Sequence, residues 1–191
     1  MTDLELYIQS YFGIEKQDLK TIASLFKTES LKKGDFYLKT GAYCDKLSFI
    51  KSGMLRIFIQ TEDKEITQWI SSAGYFVTDL SSLSFHQPAR WNIQALDQTE
   101  LYTISANNYY TIGQLVPKWH ELEKLFIAKC FATLEDRIMI HLSMTAEERY
   151  HNFLKTNPEL FQQVPLQYIA SMLGMTPETF SRIRKKEISN S

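Results

Sequence analysis

The stretch KKGDFYLKTGAYCDKLSFIKSGMLRIFI, from Lys32 to Ile59, decides the fold. From Leu31 the apolar residues cease to recur at helical intervals. Leu47-Ser48-Phe49-Ile50 reads as one strand. Leu55, Ile57 and Ile59, alternating with Arg56, Phe58 and Gln60, read as the next, because successive side chains of a strand point to opposite faces. Four of the chain's seven glycines fall between Gly34 and Gly74, where tight turns between strands ask for positive φ. After a polar hairpin turn at Thr61 to Glu65, Ile66 to Ile70 gives another strand, and Trp91 to Leu96 and Glu100 to Ile104 fit two more. Short strands with turn glycines at this spacing imply an antiparallel barrel or sandwich.

Helical spacing flanks this region on both sides. Leu4, Tyr7, Ile8, Tyr11 and Phe12, then Leu19, Ile22 and Ala23, mark one or two short amphipathic helices. After Pro117, which suits the first turn of a helix, the sequence runs to Leu142 without Gly or Pro and reads as one long helix. Leu122, Phe126, Cys130, Leu134, Ile138 and Leu142 follow at four-residue steps, and further apolar residues spread around most of the circumference. Such a helix must be covered on two sides. The expectation is that one side lies on the chain's own barrel and the other on a second copy, with Leu122, Phe126, Cys130, Leu134 and Ile138 at the interface; the plainer alternative is an ordinary buried helix of a monomer. Thr145-Ala-Glu-Glu148 has capping-box form, so a new helix starts there and ends at Asn157-Pro158. The expected division is 1–116, 117–142 and 143–191, an α+β architecture.

In VPLQYIASMLGMTPETFSRIRKK, Val164 to Lys186, a short amphipathic helix is followed by a glycine break and a second helix with an explicit start. Ile169, Ala170 and Leu173 form the packing face of the first helix, and Gly174 can take the left-handed conformation that ends it. Thr176 serves as N-cap, Pro177 as first helical residue, and Glu178 places a negative charge in the first turn. With Phe180 and Ile183 buried, Thr179, Ser181, Arg182, Lys185 and Lys186 face outward. That is the arrangement major-groove reading needs: polar and bidentate side chains near the start of an exposed, braced helix.

Bulk properties are neutral on this point. The formal net charge is −1 and the pI about 6.4, so any nucleic-acid contact must come from the local cluster Arg182, Arg184, Lys185 and Lys186. Hydrophobic residues at 44% exclude a disordered class, and no apolar run suits a membrane span. MTDLELYIQS has neither the basic start nor the apolar stretch of a secretory signal, and Cys44 and Cys130 form no local framework, so the expected setting is the cytoplasm.

The sequence resembles the Crp/Fnr family of bacterial regulators over essentially the whole chain. Residues 32–59 look like the opening of the family's cyclic-nucleotide-binding β-roll, with Gly34-Asp35, Gly41, Asp45 and Ser52-Gly53 at turn positions. QALDQTELYTIS is similar to its closing strands, and the helix from Pro117 corresponds to its dimerisation helix. IASMLGMTPETFSRIRKK resembles its recognition motif, in which a glutamate and an arginine four residues later read base edges; here these are Glu178 and Arg182. The resemblance implies a double-stranded β-helix or jelly-roll-like sensor domain, a helix-turn-helix domain, a homodimer on an inverted-repeat DNA operator, a small effector in the roll, and RNA polymerase as a candidate partner. Residues named for DNA contact are Thr176, Glu178, Thr179, Ser181, Arg182, Lys185 and Lys186, and for the effector pocket Gly74, Tyr75, Phe76, Arg90 and Trp91.

Two departures shape these expectations. The family's cyclic-AMP binders carry a Gly-Glu pair for the ribose and an Arg-Ser or Arg-Thr pair for the phosphate, whereas here Gly74 precedes Tyr75-Phe76, and Pro88-Ala89-Arg90-Trp91 shifts the arginine by about one residue. Arg90 could supply a cation for the phosphate, but a one-residue shift turns a strand side chain to the opposite face, so cyclic AMP is disfavoured and the effector is left open, a cyclic nucleotide included. Two distant cysteines cannot ligate a four-cysteine iron–sulfur cluster, and four scattered histidines, His86, His120, His141 and His151, give no basis for haem or a metal. The second departure is at the C-terminus, where after Glu187 only Ile188 to Ser191 remain, so little or no β-hairpin wing is expected. A cupin-type enzyme, the rival from another class, lacks clustered histidines on barrel strands, and no enzymatic activity is expected. The milder rival is a β-roll module for a small molecule or protein that no longer binds DNA.

Overall fold

In a computed structural model residues 1–190 are described, with side chains through Glu187. They divide into two compact units. The first comprises Met1–Ile59 and Trp69–Lys129 and the second Gln60–Gln68 and the residues from Cys130 onward.

The first unit opens with α1 (Asp3–Phe12) and α2 (Lys16–Ala23). Eight strands follow along the chain: β1 (Lys27–Leu31), β2 (Phe36–Leu38), β3 (Lys46–Ser52), β4 (Leu55–Gln60), β5 (Glu65–Ser71), β6 (Phe76–Val77), β7 (Asn92–Ala95) and β8 (Thr99–Ser105); they belong to the first unit except for Gln60 of β4 and Glu65–Gln68 of β5, which fall in the second. The short α3 (Leu80–Phe85) lies between β6 and β7, and α4 (Ala106–Leu115) follows β8. The strands form two four-stranded sheets, in orders β1-β8-β3-β6 and β2-β7-β4-β5, with antiparallel pairs such as Leu47 opposite Ile104 and Ile57 opposite Ile93. This is the expected β-roll. Tyr37, Leu38, Ile50, Leu55, Ile57, Val77, Ile93, Ala95 and Leu101, drawn from both sheets, fill the space between them, with Trp69 and Trp91 packed alongside.

The glycine reading holds in detail: Gly34, Gly41, Gly53 and Gly74 all have φ between 85° and 89°. The strict alternation expected of β4 does not hold. Arg56 and Phe58 are buried as well as Leu55 and Ile57, and the Arg56 guanidinium lies 4.2 Å from the Phe58 ring centroid. The pairing lets a cation leave water against an aromatic face.

On the outer side of β3, Phe49 meets Tyr11 (5.6 Å between centroids), Tyr7 and Phe26. Helix α5 (Trp119–Ser143) begins two residues later than Pro117 suggested, because the Leu122 amide donates to the Lys118 carbonyl and opens the ladder there. Its first turns belong to the first unit, where the Phe126 ring packs tilted against Phe12 at 4.5 Å between centroids and meets Phe76 at 5.0 Å. The boundary between the two compact units thus falls inside α5, at Lys129/Cys130.

The second unit holds the remainder of α5 with α6 (Ala146–Thr156), α7 (Leu160–Gln163), α8 (Leu166–Met172) and α9 (Pro177–Asn190). The capping box at the head of α6 is complete: the Glu148 amide donates to Thr145 Oγ1 at 3.3 Å, and the Thr145 amide donates to Glu148 Oε2 at 2.7 Å. Those bonds to Thr145, backbone first, hold the Glu148 carboxyl below its ordinary range. Residues 60–68 join these helices through the Thr67 amide, which donates to Ser171 Oγ at 2.9 Å, and the Gln68 carbonyl, which accepts from Arg137 at 2.6 Å. The reading of little or no wing rests on Ile188 to Ser191, where the side chains, and Ser191 altogether, lie outside the described residues.

Candidate nucleic-acid interface and sensor pocket

Helices α8 and α9 are joined by a turn whose bonds follow from Gly174. At φ +69° it lets its own amide donate to the Ser171 carbonyl at 3.0 Å and the Met175 amide donate to the Ala170 carbonyl at 2.9 Å. This is the paired 5→2 and 6→1 closure of a Schellman turn. Thr176 then caps α9, its Oγ1 accepting the Thr179 amide at 3.2 Å. Ile169 and Ala170 are fully buried, and Leu173, Met175, Phe180 and Ile183 are buried beside them. Phe180 lies 5.3 Å from the Tyr150 ring and 5.9 Å from the Phe161 ring.

With that face inside, Thr176, Glu178, Ser181, Arg182, Lys185 and Lys186 are exposed and Thr179 is half-buried. Hydrogen bonds from its own backbone amide and from Thr176 keep the Glu178 carboxyl below its ordinary range, so at neutral pH it is an ionised acceptor. Lys186 is partly committed within the chain: its ammonium meets Glu147 Oε1 at 2.8 Å, which in turn lowers the Glu147 carboxyl.

The residues expected at a dimer interface separate into two sets. Phe126 is 1% exposed, packed among Tyr11, Phe12 and Phe76, and so belongs to the interior of one copy. Leu122 is half-buried and lines a surface cleft with Gly13 and Val116, and Cys130 is half-buried. Leu134 and Ile138 are exposed, together with Leu125, Ile127, Phe131 (60%), Met139 and Leu142 (77%). The outward row is Ile127, Phe131, Leu134, Ile138 and Leu142, at successive spacings of four, three, four and four, close to the mixed four-and-three pattern of a coiled-coil seam.

The five residues expected around an effector have different surroundings. Phe76 points to Tyr11 and Phe126, Gly74 lies beside the Tyr7 ring, and Tyr75 is exposed. Trp91 packs on the inter-sheet core. Ala89, Trp91, Ile93 and Ala95 alternate inward, so Arg90 faces out, as its shifted register implies.

The sequence reading passed over Asp79. It is 4% exposed and N-caps α3, its carboxylate accepting the Ser82 amide at 2.9 Å and the Arg90 amide at 3.2 Å. An aspartate directly before Leu-Ser-Ser-Leu was the available signal. Its neighbour Ser82 accepts the Cys44 amide at 2.8 Å. Two backbone donors of this corner, the Ser82 and Arg90 amides, are thus bonded to an internal carboxylate. At the other end of the interior, the Tyr37 hydroxyl lies 3.1 Å from Ser48 Oγ, which lies 2.8 Å from Thr103 Oγ1, and burial pushes the phenol well up.

Residues 28–114 match the cyclic nucleotide-binding domain. Among curated proteins none matches the sequence. Solved structures share the fold. The chain is 16% identical to the c-di-GMP responsive global regulator CLP of Xanthomonas campestris, covering 92% of this chain and 93% of that one with a TM-score of 0.71. It is 15% identical to FixK2 from Bradyrhizobium japonicum, covering 86% and 85% with a TM-score of 0.73. A cAMP-bound PfPKA-R structure is 18% identical over 58% of this chain, which spans 40% of that one, at a TM-score of 0.53. No described helix is long and apolar enough to cross a membrane. By these likenesses residues 28–114 match the cyclic nucleotide-binding domain, and over most of its length the chain is similar in fold to the Crp/Fnr-type regulators CLP and FixK2.

Proposed function

We propose that the protein is a homodimeric, sequence-specific DNA-binding transcription regulator of the Crp/Fnr type, acting in the cytoplasm and without enzymatic activity. The observation that carries this reading is the Thr176-capped α9, which exposes Glu178, Ser181 and Arg182 while Phe180 and Ile183 are buried. Two copies joined along the outward row from Ile127 to Leu142 would place their α9 helices in successive major grooves, about 34–36 Å apart, on an inverted repeat. Arg182 pairs bidentately with a guanine, Glu178 accepts from a cytosine amine, and Thr176, Thr179, Ser181 and Lys185 hold the backbone. Lys186 divides its charge between phosphate and Glu147. RNA polymerase is the partner through which binding at a promoter would act.

The effector, in this reading, is not cyclic AMP. A buried phosphate diester needs a cation or unoccupied amide donors, whereas Arg90 faces out and Asp79 holds the amides of Ser82 and Arg90. Calorimetric titration with cyclic AMP should give no binding.

Mobility-shift assays on the chain's own upstream region and on randomised duplexes test the DNA reading. Arg182→Ala should cost about 1–3 kcal/mol at one base position, while Lys185→Ala should weaken all sequences alike and flatten the salt dependence. Uniform loss from both substitutions would refute the base-reading assignment.

A further inference from the structure

The end of α5 and the turn between α8 and α9 are held by one guanidinium. Helix C-termini leave carbonyls without intrahelical donors, and these carry the negative end of the helix dipole. In the α8 turn the amides of Gly174 and Met175 satisfy the Ser171 and Ala170 carbonyls. The next two carbonyls are met from elsewhere. Arg149 Nε donates to the Leu173 carbonyl at 2.9 Å, and His141 Nε2 stands 3.3 Å from the Met172 carbonyl. From the same plane Arg149 Nη1 donates to the Met144 carbonyl at 2.7 Å and to the His141 carbonyl at 3.4 Å. Arg149 lies in the first turn of α6, its amide donating to the Thr145 carbonyl at 3.0 Å, so the capping box fixes the point from which it reaches.

We propose that Arg149 is a positioning residue that sets the angle of the recognition helix α9 relative to the long helix α5. A guanidinium presents donors in a rigid fork, so bonds from Nε to one helix end and from Nη1 to the other fix their separation and their angle. A lysine ammonium on a flexible stem could satisfy either end but would not hold both in one plane. Since α9 leaves the same turn, the angle fixed at Leu173 is carried to Arg182. This inference rests on the proposed dimeric DNA-binding function: in a dimer joined along α5, the angle determines the distance between the two recognition helices, and so the half-site spacing.

The experiment uses the full chain, Arg149→Lys and Arg149→Ala, against inverted-repeat duplexes whose centre is lengthened or shortened one base pair at a time, and against a single half-site. The wild type is expected to prefer one spacing. Both variants should lose that preference by about tenfold and keep their half-site affinity, and Arg149→Lys should do so while melting close to the wild type. Restoration of spacing preference by lysine would reduce Arg149 to a structural cation and overturn the proposal. Amide hydrogen exchange across Leu173 to Met175 is read in the same proteins without DNA and should quicken by about tenfold in both variants. If the wild type binds no DNA, the functional reading fails, and unchanged exchange in the variants overturns the role of Arg149 separately.

Discussion

Replacing Gly53 and Gly41 by alanine, one at a time, separates a backbone cost from a packing cost at a single dihedral angle. Both glycines have φ +85°, so each alanine meets the left-handed penalty of about 1–2 kcal/mol. At Gly41 a Cβ would find nothing within 4 Å, and the cost ends there. At Gly53 it would lie 2.6 Å from the Gln98 carbonyl oxygen and from Thr99 Oγ1, and 2.7 Å from Asp97 Oδ1. The first is backbone and cannot swing aside. The other two are engaged, for Asp97 Oδ1 accepts the Met54 amide at 2.8 Å and the Thr99 hydroxyl at 3.1 Å, and Thr99 is fully buried. Relief requires loosening a bonded, buried turn, at about 1–3 kcal/mol for each group left unsatisfied. The expected destabilisation is about 3–5 kcal/mol for Gly53→Ala against about 1–2 for Gly41→Ala. Trp69, Trp91 and Trp119 all belong to the first unit, so their fluorescence in urea reports that unit directly. Equal loss at the two sites, or a larger loss at Gly41, would refute the steric argument.

Ile138→Asp should dissociate the proposed dimer in sedimentation equilibrium, whereas Phe126→Ala should leave assembly intact and cost the first unit about 3–5 kcal/mol; the reverse outcome would show that the two faces of α5 have been exchanged. Glu148 and Glu178 are held below the ordinary 4.5 of a glutamate. Because the folded values lie below the unfolded ones, their stabilisation is present above about pH 4.5 and is lost as pH falls below it. Acid titration followed by circular dichroism should show helix loss in that window, reduced in Thr145→Ala. Thr176→Ala should cost about 1 kcal/mol of stability and weaken binding to every DNA sequence equally, since a cap positions the helix without reading a base; a change of base preference would contradict this.

The β-roll was legible because its turns are written in glycines and its strands in short apolar runs. The start of α6, the Gly174 break and the Thr176 cap were legible because each is a local bond pattern between residues a few places apart. The faces of α5 were not. A row taken at every fourth residue drifts about 40° per step around a helix of 3.6 residues per turn. The row from Leu122 to Leu142 is therefore half-buried at Leu122, fully buried at Phe126 and outside by Leu134. The row from Ile127 to Leu142 drifts far less and keeps to one side. Arg56 and Asp79 escaped notice for other reasons: Arg56 sits at the alternate strand position where a solvent-facing residue was expected, yet is buried with its guanidinium over the Phe58 ring, and one partner of Asp79, the Arg90 amide, lies eleven residues on. Arg149 reads as an ordinary helix charge until the carbonyls it reaches, up to twenty-four residues away, are in place.

The membership of residues 60–68 in the second unit bears on how the chain is made. Ribosomes deliver this segment well before Cys130 emerges, so the Thr67 amide and the Gln68 carbonyl leave the exit tunnel without the Ser171 and Arg137 groups that later bond them. The helical unit completes itself only by recruiting a segment from an already synthesised part of the chain. A fragment beginning at Cys130 therefore lacks part of its own packing, and a single protease cut between Gln60 and Gln68 should weaken helices whose own backbone it never touches.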